Sequence, residues 1–273
     1  MTLTARAQAL ALLREPELAA KCAGVRALQA QWSQGADAGE LALGAGQALV
    51  DPGDLPGRPA RPLLQAHVQL ARRSLHSIEG LAALLHAIAH IEFNAINLAL
   101  DAVWRFAGLP PDYYRDWLRV AAEEALHFEL LNTHLRELGF GYGDFPAHDG
   151  LWSMCERTAG SFRARMALVP RTLEARGLDA TPPLQRKFAA AGDARAVEIL
   201  DILLRDEIGH VAVGNRWYHW ACERDGVADR EADFAALCQQ YQAPRPRKPL
   251  NLGARALAGF SAQELAHLEE SAQ

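Results

Sequence analysis

Apolar side chains recur every three to four positions through much of this chain, the period of a helix packed on one side. Four long segments carry the pattern. The first runs from about Ser77 to Ala107 and stops at Gly108-Leu109-Pro110, a helix-end signal. The second starts after Pro110-Pro111, with Asp112 near its cap, and ends at Gly139. The third runs from about Gly150 to Arg176, with a kink expected at Pro170 and a stop at Gly177. The fourth runs from Asp193, a plausible N-cap, to Arg224. Between the last two, residues 184–191 predict a short separate helix. Residues 1–33 read as one or two amphipathic helices broken near Pro16, and the Gly- and Pro-rich stretch 34–62 as a loop or wrapping arm. Residues 242–250 (QAPRPRKPL) read as an extended linker, and a last helix starts near Ser261.

The expectation is therefore an all-α fold. Residues 63–228 form a four-helix bundle. Residues 1–62 pack on it, because their first 33 positions are too few to fold alone. Residues 229–273 form a C-terminal extension. Half of the 273 residues are hydrophobic, ample for a core, and the net charge of −5 offers nothing to attract nucleic acid or an anionic membrane. Cys22, Cys155, Cys222 and Cys238 form no CxxC and read as reduced thiols. The N-terminus is interrupted by Arg6, Arg14 and Glu15, unlike a signal peptide, and no stretch reaches the ~18 uncharged apolar residues of a membrane span. A cytoplasmic location is expected.

Two short stretches bring in chemistry: Glu123-Glu124-Ala125-Leu126-His127 and Asp206-Glu207-Ile208-Gly209-His210. A Glu and a His three apart share a helix face and can chelate one metal ion. Chance alone gives about 0.7 such pairs (18 Glu × 10 His / 273), and the chain contains three. The third, Glu264/His267, follows Ser261 in a capping box, which gives Glu264 a structural task. Around Glu124 the same face carries Trp117, Val120, Ala121, Phe128 and Leu131. Around Glu207 it carries Leu200, Leu203, Leu204 and Val211. A carboxylate on an apolar face needs compensation. A buried ion pair would serve for one such case, but two matched copies favour a cation.

The pattern extends upstream. Glu92 precedes Glu124 by 32 residues, and Glu174 precedes Glu207 by 33. Glu92 lies among Leu85, Ile88, Ala89, Ala95, Ile96 and Ala99, and an antiparallel hairpin would bring it level with Glu124. For Glu174 the 177–192 connection would have to run back along the bundle. Otherwise Glu174 is a surface residue beside Arg171 and Arg176, and Glu156 is the reserve, about 27 Å further along its helix. His86 and His90 read as supporting or surface groups, and His134 and His219 as lying near solvent. Tyr113, Tyr114, Trp104, Trp152, Trp217 and Trp220 read as packing, while Asn97 and Asp101 could hydrogen-bond within the bundle.

With one Glu from each of two segments and Glu-x-x-His from each of two others, residues 70–225 resemble the ferritin-like di-iron carboxylate superfamily. Leu-Glu-Ala-Arg-Gly-Leu-Asp at 173–179, with Asp-Glu-Ile-Gly-His-Val at 206–211, looks closest to an uncharacterised bacterial family of ferritin-like proteins, domain of unknown function 455. The resemblance implies metal ligands Glu92, Glu124, His127, Glu174, Glu207 and His210, with Glu124 and Glu207 bridging. It implies that Asp206 holds His127 and Glu123 holds His210. It implies two Fe ions, with Mn or Zn possible. The expected function is a di-iron oxidoreductase that uses O2 to oxidise or hydroxylate a small organic molecule, with an electron donor as a further partner. Its expected state is a monomer or homodimer. Ferroxidase or iron handling, a manganese catalase-like activity and a tRNA-modifying hydroxylase are the alternatives, the last weakened by the negative net charge. The non-enzymatic reading is a bundle with a structural metal.

Overall fold

Residues 3–34, 40–65 and 76–273 are described by the computed structural model. Every regular element among them is helical, and a single isolated bridge pairs Leu64 with Ala147. The chain divides into two compact units, residues 1–150 and 151–273.

The first unit is built on a helical hairpin. Helices α1 (Ala5–Arg14), α2 (Leu18–Gln34) and α3 (Glu40–Leu43) precede α4 (Ile78–Arg105) and α5 (Pro111–Glu137). Ser77 caps α4 by accepting a hydrogen bond from the Gly80 N–H, and Pro111 opens α5, where its missing N–H costs nothing. Gly139, at φ +85°, closes α5 in the left-handed conformation. These ends fall within two residues of those predicted. Helix α4 is long and apolar enough to cross a membrane, but 72% of its most apolar window is buried in the protein. Helix α1 covers α4 with Ala5, Ala9 and Leu13, and α2 covers α5 with Cys22, Val25, Leu28 and Trp32. Leu43 and Ala45 are also buried, so the arm after α2 contributes to the core. Part of that arm, residues 35–39, lies outside the described residues.

Arg6, 1% exposed, closes the C-terminal end of α4 from a distance. Its guanidinium donates to the carbonyls of Val103, Trp104, Gly44 and Gln47. Positive charge at a helix C-terminus also suits the helix dipole.

The second unit departs from the sequence expectation at the third segment. Instead of one kinked helix there are α6 (Gly150–Arg157), α7 (Phe162–Leu168), a π-helical turn at Val169–Glu174 and α8 (Ala175–Ala190). The break at 158–161 is stabilised by Arg165, which is buried and donates to the Thr158 hydroxyl and the Cys155 carbonyl. At Pro170 the missing N–H is accommodated by the wider turn, and Thr172 Oγ1 donates to the Ala167 carbonyl. Helix α9 (Ala194–Arg224) comes close to this turn only because residue 214 is glycine. A Cβ there would meet Pro170 Cβ at 2.5 Å.

The predicted stop at Gly177 and the separate helix at 184–191 are both corrected: α8 runs through Gly177 and Pro182-Pro183. The reason is tertiary. Pro182 cannot donate to the Leu178 carbonyl four residues back, and Asn251 Nδ2 bonds that carbonyl instead at 3.2 Å. Arg255, 3% exposed, donates to Asp179 through Nε at 3.0 Å and Nη2 at 2.6 Å, and to the Ala175 carbonyl. Both partners come from the C-terminal region: Asn251 caps α11 (Leu252–Leu257), and Arg255 lies within it. A core of Ala175, Leu178, Val211, Ala254, Ala258 and Phe260 fills the space between. Helix α10 (Arg230–Gln240) precedes the extended linker, and α12 (Ala262–Ser271) begins with the predicted capping box.

Candidate metal centre

In the first unit the hairpin brings three predicted ligands together. Glu92 stands 13 residues before the end of α4 (105 − 92), and Glu124 stands 13 after the start of α5 (124 − 111). The two carboxylates therefore meet at one height. His127 Nδ1 lies 3.2 Å from Glu92 Oε2 and 3.4 Å from Glu124 Oε2. One ligand atom from each of the three residues lies within 4.8 Å of the others. Glu124 and His127 are completely buried and Glu92 nearly so, and every apolar neighbour predicted around them is buried too.

The donor set fits a metal ion. Two buried carboxylates facing one imidazole nitrogen carry more negative charge than a single imidazolium can balance. A divalent cation in that space meets hard oxygen and borderline nitrogen donors, the preference of Fe(II), Mn(II) or Zn(II).

In the second unit, Glu207 and His210 lie on the buried side of α9 among Leu200, Leu203 and Val211. His210 Nδ1 is 3.6 Å from Glu207 Oε1, beyond hydrogen-bond length. Glu174 is half-buried at the end of the π turn, which packs against α9. The uninterrupted α8 puts it 16 residues before the end of that helix (190 − 174), and Glu207 is 13 after the start of α9 (207 − 194). Across a tight turn this leaves them about 4.5 Å apart in height. The reserve residue, Glu156, is exposed on α6 and accepts a hydrogen bond from Trp152 Nε1 at 2.9 Å.

Glu123 pairs with Arg119 at 3.8 Å, and Asp206 with Arg205 at 2.8 Å. Glu264 accepts from the Ser261 N–H at 2.7 Å and pairs with Arg171, while His267 is exposed. Burial works to raise the Glu264 pKa, but the Arg171 charge and the Ser261 N–H leave it below its ordinary value. His134 is buried rather than near solvent and pairs with Glu137, and His219 is half-buried. His86 and His90 are not surface groups either. The 139–149 loop covers them: His86 Nε2 accepts from the Gly143 N–H, and Tyr142 stacks on both rings. Burial pushes both imidazoles down to a pKa of about 4. Tyr113, Tyr114, Trp104, Trp152 and Trp217 are packed in the core, and Asp101 and Asn97 hydrogen-bond with Arg105 and Lys21.

Sequence reading missed Lys21. It is fully buried, with Nζ donating to the Leu13 and Gly57 carbonyls and to Asn97 Oδ1. The signal was its place on the α2 face that also carries Val25, Leu28 and Trp32.

Fold and site together define an all-helical protein with a buried carboxylate–imidazole group that could hold a metal ion. Comparison with known proteins gives its family. The model described as "Protein of unknown function (DUF455)" matches residues 14–266, and the chain belongs to that family. It is also 50% identical over 232 residues to an uncharacterized protein of Haemophilus influenzae, a match covering 82% of this chain and 80% of the other. No solved structure matches it.

Proposed function

We propose that this protein is a ferritin-like di-iron oxidoreductase that uses O2 to oxidise an organic substrate. One observation carries the reading: Glu92, Glu124 and His127 converge in a buried space, with one ligand atom from each within 4.8 Å of the others. The same spacing of a Glu and a Glu-x-x-His recurs in the sequence 83 residues later (207 − 124), which supports a second ion.

On this reading Glu92, Glu124 and His127 hold one ion, and Glu174, Glu207 and His210 hold the other. Four carboxylates would balance two divalent cations, and a metal pair held there would supply electrons to O2. The chain's own contribution is to fix the ligands on rigid helices and keep water out with Trp117, Val120 and Phe128, all buried around Glu124. An electron donor would return the centre to its reduced state.

The test is anaerobic loading of metal-free protein with Fe(II), a count of iron per chain, then mixing with O2 under absorbance and Mössbauer observation. Two irons per chain and a spectral change with O2 are expected. Glu124→Ala should lose most of the iron. Absence of uptake, or uptake indifferent to Glu124→Ala and Glu207→Ala, rules the reading out.

A further inference from the structure

A second set of polar groups in the first unit takes no part in the metal reading. On α4, His90, Phe93, Asn94 and Asn97 recur at helical spacing on a face that does not include Glu92. With Arg58, Leu64 and Tyr142 they line a cavity of about 70 Å³. A single water needs on the order of 10–15 Å³ by this measure, so the space suits a small polyatomic solute.

The unused polar groups facing this space are donors. Asn97 is 1% exposed. Its Oδ1 accepts from Lys21 Nζ at 2.5 Å, which directs Nδ2 away from the lysine, and Nδ2 has no hydrogen-bond partner among the described residues. A buried N–H in that condition calls for an acceptor. Arg58 is the more exposed end of the lining. It meets both Asp149 oxygens with Nη2 alone, at 2.8 Å each, leaving Nε and Nη1 for another acceptor. Tyr142 adds no demand. His90 Nε2 faces the His148 carbonyl and must donate to it, so Nδ1 is the acceptor of the Tyr142 hydroxyl at 2.8 Å.

Arg58 brings positive charge to the lining, and Asp149, which it meets, stands outside it; among the described residues no Asp or Glu lines the cavity. Lys21, bound to its innermost residue, donates to neutral oxygen acceptors and sits over the Phe93 ring at 5.1 Å. Phe93 and Leu64 add an apolar wall. The planar guanidinium fork of Arg58 suits a planar two-oxygen anion better than a spherical one.

We propose that this cavity binds a small carboxylate, of formate or acetate size, between Asn97 Nδ2 and the Arg58 guanidinium, its tail against Phe93 and Leu64. The site stands apart from the proposed metal centre and needs no metal.

Calorimetric titration of chelator-treated protein with sodium acetate, at ionic strength held constant with chloride, tests it. One saturable site per chain is expected. Asn97→Asp puts an anionic oxygen where the N–H stands and gives Lys21 a carboxylate partner, so the fold should hold while acetate binding weakens at least tenfold. Arg58→Gln should weaken it similarly, and Glu124→Ala should leave it unchanged. Failure of wild-type protein to saturate overturns the proposal, as does unaltered binding in Asn97→Asp. Displacement of acetate by equimolar chloride would mark a general anion site and also overturn it. Loss of acetate binding in Glu124→Ala would move the anion to the metal half-site and overturn it too. Iron loading can succeed or fail independently of all four results.

Discussion

Arg255→Met is expected to unravel the path of α8. Arg255 and Asp179 are 3% and 8% exposed, and the guanidinium reaches both carboxylate oxygens of Asp179 and the Ala175 carbonyl. Methionine keeps most of the apolar volume but leaves Asp179 buried with its countercharge gone. Breaking such a pair from one side costs about 3–5 kcal/mol. Asp179→Leu breaks the pair from the other side, leaving the Arg255 guanidinium buried without its countercharge, and also strands the Asn251 N–H that Asp179 accepts at 2.9 Å, so it should cost at least as much. The double variant strands neither charge and should be no less stable than either single variant, giving a coupling energy of about 3 kcal/mol or more in a double-mutant cycle. Urea unfolding followed by circular dichroism measures all three. On the proposed di-iron reading, Arg255→Met should also lower iron per chain from two toward one, because α8 sets the height of Glu174 relative to Glu207. A loss below about 1 kcal/mol, with iron content intact, would refute the claim that the C-terminal region holds α8 on its course.

Two further outcomes follow from buried charges. Burial lowers the Lys21 pKa from 10.5 to about 7, with Arg58 adding to the effect against the pull of Cys22 and Glu15. The unfolded chain keeps that proton to higher pH, so between about pH 7 and 10.5 stability should rise with pH, by at most about 1.4 kcal/mol per unit. Lys21→Met should flatten this part of a stability–pH curve, and an unchanged slope would show that other groups dominate. Glu264→Ala should leave iron content unchanged while destabilising by about 1–3 kcal/mol, since Arg171 is 2% exposed and loses its partner. Loss of iron in that variant would restore Glu264/His267 as ligands.

Helices α4, α5 and α9 were legible to within about two residues because their ends are set locally, by Ser77, Pro111 and Asp193. The α6–α8 region was not, because Gly177 and Pro182-Pro183 are true local stop signals overruled by Asn251 and Arg255, more than 70 positions away. That misreading carried into the site. With a stop at Gly177, Glu174 could come near the height of Glu207 only if the 177–192 connection ran back along the bundle, and α8 makes most of that connection one continuous helix. Glu92, Glu124 and His127 needed only helical periodicity and one short turn. The near-solvent reading of His134 and the surface alternative for His86 and His90 failed because periodicity gives the direction of a side chain and not what covers it, and for His86 and His90 the cover is a loop.

Arg6 has a consequence for how the first unit forms. It closes the end of α4 through carbonyls 97 and 98 positions further along the chain. During synthesis at about 5–20 residues per second, α1 emerges some 5–20 s before those carbonyls exist. In that interval the guanidinium can meet the Gly44 and Gln47 carbonyls and α1 can meet α2, but the α4 surface that covers Ala9 and Leu13 does not yet exist. Closing α1 over α4 therefore waits for α4 and rests on contacts of long sequence separation, unlike the pairing of α4 with α5 across one short turn.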